Sequence, residues 1–304
     1  ILGVFTNISA QPGAVKKAAD AAFTLTTFKA DGSILATSNG VCITTDGIAI
    51  SPWKPFVGAE KAVIIDAKGQ RHEVECLLGA NDIYDIVKFQ VTGKTVAAPL
   101  VTVVAAGEEA WVTPILKSGN AERADVSSVE KFMDKYNYAI LKSSATDKLN
   151  GAPVVNSKGQ VVGLFNISGD LQSATDVNYA KDFVLKGLSQ NDVTLRQSGI
   201  RIGLPNTTEE AVVALMLSSE KPTNVHEAVV NEFITKFPQT NDGYYALANI
   251  QIAKGEMANA DKTMQTAIGK VTAKDEAHYN YARLIYRFAV THETDEKTKS
   301  LGWT

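Results

Sequence analysis

The stretch KLNGAPVVNSKGQVVG, Lys148 to Gly163, is a small-residue turn followed by two short apolar runs. It has the shape of a loop that presents a catalytic serine, and Asn150 stands where the serine would be. Acyl transfer needs a hydroxyl or thiol activated by a base, and an amide forms no acyl intermediate. The other residues that could do chemistry are few. His72 lies in the alternating run RHEVEC, where one flank of a strand normally faces solvent, and His226, His278 and His292 lie in a helical half. Each reads as a solvated or packed side chain rather than a base. Cys42 and Cys76 have no CxxC or Cys/His spacing around them, so no metal site and no cofactor are expected. They could be bonded only if their two strands pair side by side; two small buried thiols are the expectation. Ser143-Ser144 and Glu108-Glu109 show no spacing that catalysis requires and read as solvated loops.

The elements that must position such residues fall into two textures. From Ala21 to Tyr179 the chain is a series of short runs such as AAFTLTTF, KAVIIDA, DIVKFQV and QVVGLFNIS, many set off by Asp-Gly or Lys-Gly turns. Strands at this spacing, rich in Val, Ile, Thr and Phe, predict an antiparallel sandwich or barrel. NYAKDFVLKGLSQ then predicts one closing helix, with Phe183, Val184 and Leu188 on its period. After an irregular segment, Thr194 to Pro205, only helical periodicity remains. A chain of 304 residues suits two such modules.

Composition excludes several classes of function. The chain is 45% hydrophobic and 21% charged with a net charge of −3, so it offers no basic field for nucleic acid. No apolar run approaches the roughly 20 residues that span a bilayer. The opening ILGVFTNISAQPG starts apolar and reaches Ser9, Ala10 and Gln11, like the end of a signal peptide and its cleavage site, so residues 1–13 are expected to be a remnant of export.

Four stretches, in order, resemble the trypsin-like serine proteases of the HtrA type: NGVCITTDGIAIS before the histidine position, GANDIYDIVKFQV around the aspartate, NGAPVVNSKGQVVG around the nucleophile, and DVNYAKDFVLKGL as the terminal helix. The resemblance covers residues 14–195 and implies a double β-barrel with a cleft between the barrels. Local register puts Lys54 at the histidine position and Asp85 at the aspartate. Where the family reads Gly-Asn-Ser-Gly-Gly-Pro, this chain has Lys148, Leu149, Asn150, Gly151, Ala152 and Pro153. Two of three triad members and the glycine of the oxyanion turn are therefore replaced. A lysine acts as a base only when neutral and beside a serine, and a neighbouring carboxylate favours its charged form.

Residues 205–304 resemble tetratricopeptide repeats. Tyr244, Leu247 and Ala248 share one helix face, Gly255 breaks the helix, and Ala260, Met264 and Ala267 share a face of the next. Ala282 follows Ala248 by thirty-four residues and is expected to begin the next unit, which the end at Thr304 is expected to interrupt. A groove carrying Tyr244, Leu247 and Gln251 is the expected peptide-binding face. The fold class expected is thus β plus α in separate domains: a trypsin-like double barrel, then a helical repeat array. The function expected is binding of a protein or extended peptide by a catalytically inactive protease fold in a periplasmic or secreted setting. An active hydrolase with displaced catalytic groups, and a purely structural cap on the array, are the alternatives.

Overall fold

The computed structural model describes residues 12–115, 120–291 and 300–303. Residues 1–11, most of the segment read as a signal-peptide remnant, and His292 lie outside them. The chain divides into two compact units. The first runs to Val184 and takes in Asp192–Ile202; the second comprises Leu185–Asn191 and the chain from Gly203 onward.

In the first unit a short helix α1 (Gly13–Ala18) leads into β1 (Ala22–Phe28), β2 (Ile34–Cys42), β3 (Ile48–Ser51), β4 (Lys61–Asp66), β5 (Arg71–Asn81) and β6 (Ile86–Val91). These close an antiparallel barrel in the order β1-β2-β3-β6-β5-β4. Alternation fills it: Phe23, Leu25 and Thr27 of β1 are buried, and the Phe23 and Phe56 rings lie 6.0 and 5.2 Å from that of Phe89. A second closed barrel, in the order β10-β11-β12-β9-β8-β7, is built from β7 (Ala110–Val112), β8 (Glu122–Phe132), β9 (Tyr136–Ser143), β10 (Pro153–Asn156), β11 (Val161–Ser168) and β12 (Leu171–Thr175). Val154, Val155, Val161 and Val162 are all buried, so the two apolar runs that follow Asn150 are core strands. Val41, Ile50 and Ile86 of the first barrel share one apolar cluster with Trp111, Val155 and Leu164 of the second. That common core fixes the barrels against each other and leaves a cleft above it.

The closing helix is shorter than its periodicity predicts. Helix α2 spans only Val177–Lys181, and Val184 and Leu188 are exposed at 65% and 70%. The Lys88 ammonium donates to the carbonyls of Lys181 and Phe183, holding the chain in a turn where a helix would have continued. Beyond it Gly187 packs so tightly that a Cβ would lie 2.6 Å from Val213, and its N–H donates to Glu210 at 2.5 Å. Burial lowers the Lys88 pKa to about 8, against the pull of Asp182. Between pH 8 and the ordinary lysine range the unfolded chain holds a proton that the folded chain has lost, so stability rises with pH across that window. The buried Cys42 thiol and the tyrosines that burial raises oppose this in the same window, so the rise is read as a difference: in urea melts at pH 8 and pH 10 the parent should gain stability relative to Lys88→Met.

Cys42 on β2 and Cys76 on β5 are both buried, and neither is in a disulfide among the described residues. Two strands separate β2 from β5 in the barrel, which rules out the pairing a bond would require. Burial pushes the Cys42 thiol up to about 12.

The second unit holds α3 (Thr208–Ser218), α4 (Thr223–Lys236), α5 (Asn241–Ala253), α6 (Met257–Lys270) and α7 (Lys274–Thr291). Ala248 of α5 and Ala260 and Met264 of α6 are wholly buried, as close approach of two helices demands. Ala282 on α7 differs: it is exposed, because no described helix covers that face of α7. Trp303, 2% exposed, packs instead with Leu284 and Phe288 on another face. Among the described residues no helix is long and apolar enough to cross a membrane.

Candidate functional site

A cleft of ≈ 700 Å³ in the first unit is lined by Ser38, Asn39, Lys54, Asp85, Asn150 and Ile167 among others. The three positions read from sequence thus face one space. Lys54 opens a short 3-10 turn after β3, and Asp85 precedes β6. The Lys54 backbone N–H donates to Asp85 Oδ1 at 2.8 Å, and Lys54 Nζ lies 3.6 Å from Oδ2. The lysine side chain is 78% exposed and the aspartate 15%, so solvent screens the ion pair and holds its worth to about 1 kcal/mol or less. The backbone bond is the firmer tie. Asp85 keeps this geometry at φ 48°, a conformation a non-glycine residue adopts rarely.

Asn150 is held through its N–H, its carbonyl and its side-chain oxygen. A 3-10 turn, Asp147–Leu149, precedes it, and the Asn150 N–H donates back to the Asp147 carbonyl at 3.0 Å. Its own carbonyl accepts from Asn39 Nδ2 at 2.9 Å and from Ser38 Oγ at 3.3 Å, both on β2 of the other barrel. Asn39 Nδ2 also donates to the Lys148 carbonyl at 3.1 Å. The side-chain Oδ1 accepts from the Ile167 N–H of β11 at 3.0 Å. Gly151 then turns the chain at φ 80°, in a space where a Cβ would meet the Asn39 carbonyl at 2.4 Å.

This arrangement has chemical consequences. An oxyanion hole needs backbone N–H groups free to point where charge develops. Here the N–H of Asn150 is engaged within its own turn. Among the described residues no imidazole lines the cleft. His72 is packed in the wall of the first barrel, its Nδ1 2.7 Å from the Thr92 carbonyl and its Nε2 3.3 Å from Asp66; it is 5% exposed and turns no flank to solvent. His226 meets Ser218 Oγ at 2.8 Å, yet Ser218 is wholly buried and its hydroxyl donates to the Leu215 carbonyl, so the pair is a helix contact. Burial lowers the pKa of His226. His278 is exposed. Ser143 and Ser144 bond to Gln172 and Glu122, and Glu109 pairs with Arg123. Among the described residues no group of three or more His, Cys, Asp or Glu could hold a metal ion.

In the helical unit Tyr244, Leu247 and Gln251 line one groove of ≈ 370 Å³. Two of them are already committed: Tyr244 is 4% exposed with its hydroxyl on the Pro238 carbonyl, and Gln251 accepts from Thr263 at 2.8 Å. A larger hollow of ≈ 680 Å³ involves Leu215, Met216, His226, Tyr245, Asn249 and Asn280. The Tyr245 hydroxyl is buried there without a partner among the described residues. Periodicity alone could not choose between neighbouring Tyr244 and Tyr245.

Two closed six-stranded antiparallel barrels with a cleft at their junction, followed in sequence by helices, are consistent with a trypsin-like double barrel. The chain matches no protein-family model, and no curated protein matches it.

Proposed function

We propose that this chain is a protease-fold binding protein without peptidase activity, of HtrA-like descent, which holds extended polypeptide segments in its inter-barrel cleft. One observation carries the reading: at the nucleophile position stands an amide whose backbone N–H is tied to Asp147. The site therefore has neither an attacking atom nor that oxyanion donor. A cleft that keeps a strand edge and loses its chemistry can still bind by backbone pairing. The helical unit, read as tetratricopeptide-like, contributes a second surface for a partner protein, favoured at the hollow around Tyr245 and Asn249. An extracytoplasmic setting rests on the character of the first thirteen residues.

Fluorescein-labelled, reduced and carboxymethylated α-lactalbumin offers a permanently unfolded chain as probe. The purified protein should bind it saturably, and a fluorophosphonate probe should leave the protein unlabelled. Labelling together with ester turnover would favour a hydrolase with displaced catalytic groups instead.

A further inference from the structure

Strand β11 outruns its neighbour. Its ladder with β10 pairs Pro153 with Leu164, and two loop contacts then continue it: Gly151 N–H donates to the Phe165 carbonyl at 2.8 Å, and Phe165 N–H to the Ala152 carbonyl at 2.9 Å. A residue in a strand sends its N–H and C=O toward the same edge, and edges alternate along the chain. Phe165 and Ile167 therefore address the same side. At Phe165 that side meets backbone; at Ile167 it meets the Asn150 side chain. The Asn150 amide thus occupies, in register, the place the next peptide group of a pairing strand would take. A side-chain amide and a peptide carbonyl are the same acceptor chemically, so one can substitute for the other.

We infer that Asn150 is a built-in competitor for the strand edge of its own cleft: an incoming extended segment pairs with β11 at Ile167 by displacing the Asn150 amide. This rests on the peptide-binding reading above. The exchange is hydrogen bond for hydrogen bond, so the resident amide lowers the affinity of every incoming strand alike and sets a threshold without imposing sequence preference. The backbone of Asn150 need not move, because Ser38 and Asn39 hold its carbonyl separately from the side chain.

The test compares Asn150→Ala and Asn150→Asp with the parent protein, using the labelled unfolded α-lactalbumin as ligand and amide exchange at Ile167 as a local reporter. Alanine removes the competitor, so the probe should bind about tenfold tighter, the worth of one recovered hydrogen bond, and Ile167 should exchange faster in the unliganded variant. Aspartate keeps an acceptor, and a stronger, charged one, so the probe should bind it no tighter than the parent. Equal or weaker binding by Asn150→Ala would overturn the competitor and leave the binding cleft standing, for then the side chain only rivets the loop. No binding by the parent or either variant would overturn the peptide-binding reading and the competitor with it.

Discussion

Replacing Gly151 by alanine should destabilise the barrel unit by about 3 kcal/mol or more. Two costs add. The residue sits at φ 80°, where an L side chain pays about 1–2 kcal/mol. Its Cβ would also lie 2.4 Å from the Asn39 carbonyl and 2.6 Å from Pro52 Cδ, and the first of these is backbone that cannot rotate away. Relief requires the nucleophile-like loop to withdraw from β2, which breaks the bonds from Ser38 and Asn39 to Asn150. Urea denaturation followed by the fluorescence of the buried Trp53 and Trp111 would measure the loss. A change below 1 kcal/mol would mean that the loop does not sit against β2 as described.

Trp303→Ala should cost the helical unit about 3–5 kcal/mol. The indole is 2% exposed, with Tyr281 and Phe288 at ring distances of 6.3 and 6.1 Å, and its Nε1 donates to Asp261 at 3.2 Å. Asp261 also accepts from the Tyr281 hydroxyl, so truncation removes apolar packing and one of the donors that satisfy a carboxylate. Trp303→Phe keeps most of the packing and should recover more than half of the loss. Circular dichroism at 222 nm during urea unfolding reads the helical unit preferentially, and a loss under 1 kcal/mol would show that Trp303 is not an anchor.

Much of the fold was legible because its signals are local. Alternation in AAFTLTTF and QVVGLFNIS, set off by small turn residues, announces strands, and the loss of alternation after Val177 announces helices. Strand β8 is not legible in the sequence, because ERADVSSVEKF turns so many polar residues outward that its few buried positions make no apolar run. The closing helix stops short of its periodicity because Val184 and Leu188 keep the period while tertiary contacts of Lys88 and Gly187 divert the chain. Lys54, Asp85 and Asn150 could be brought together by counting from glycine turns. Their partners could not: Asp147, Ser38, Asn39 and Ile167 act through the direction of individual backbone groups, which residue identity does not encode. Asn39-Gly40 and Asn150-Gly151 are the two Asn-Gly pairs that meet at the cleft, a repetition whose meaning appears only once β2 and the loop are seen side by side.

On the function proposed here, the cleft binds polypeptide and leaves it whole. Incubating the protein with labelled unfolded α-lactalbumin, isolating the complex and weighing the bound chain by mass spectrometry tests both halves at once. The bound chain should keep its full, unaltered mass after prolonged incubation. Recovery of fragments, at a rate that Lys54→Ala and Asn150→Ala each reduce by orders of magnitude, would establish a hydrolase in place of a binding protein.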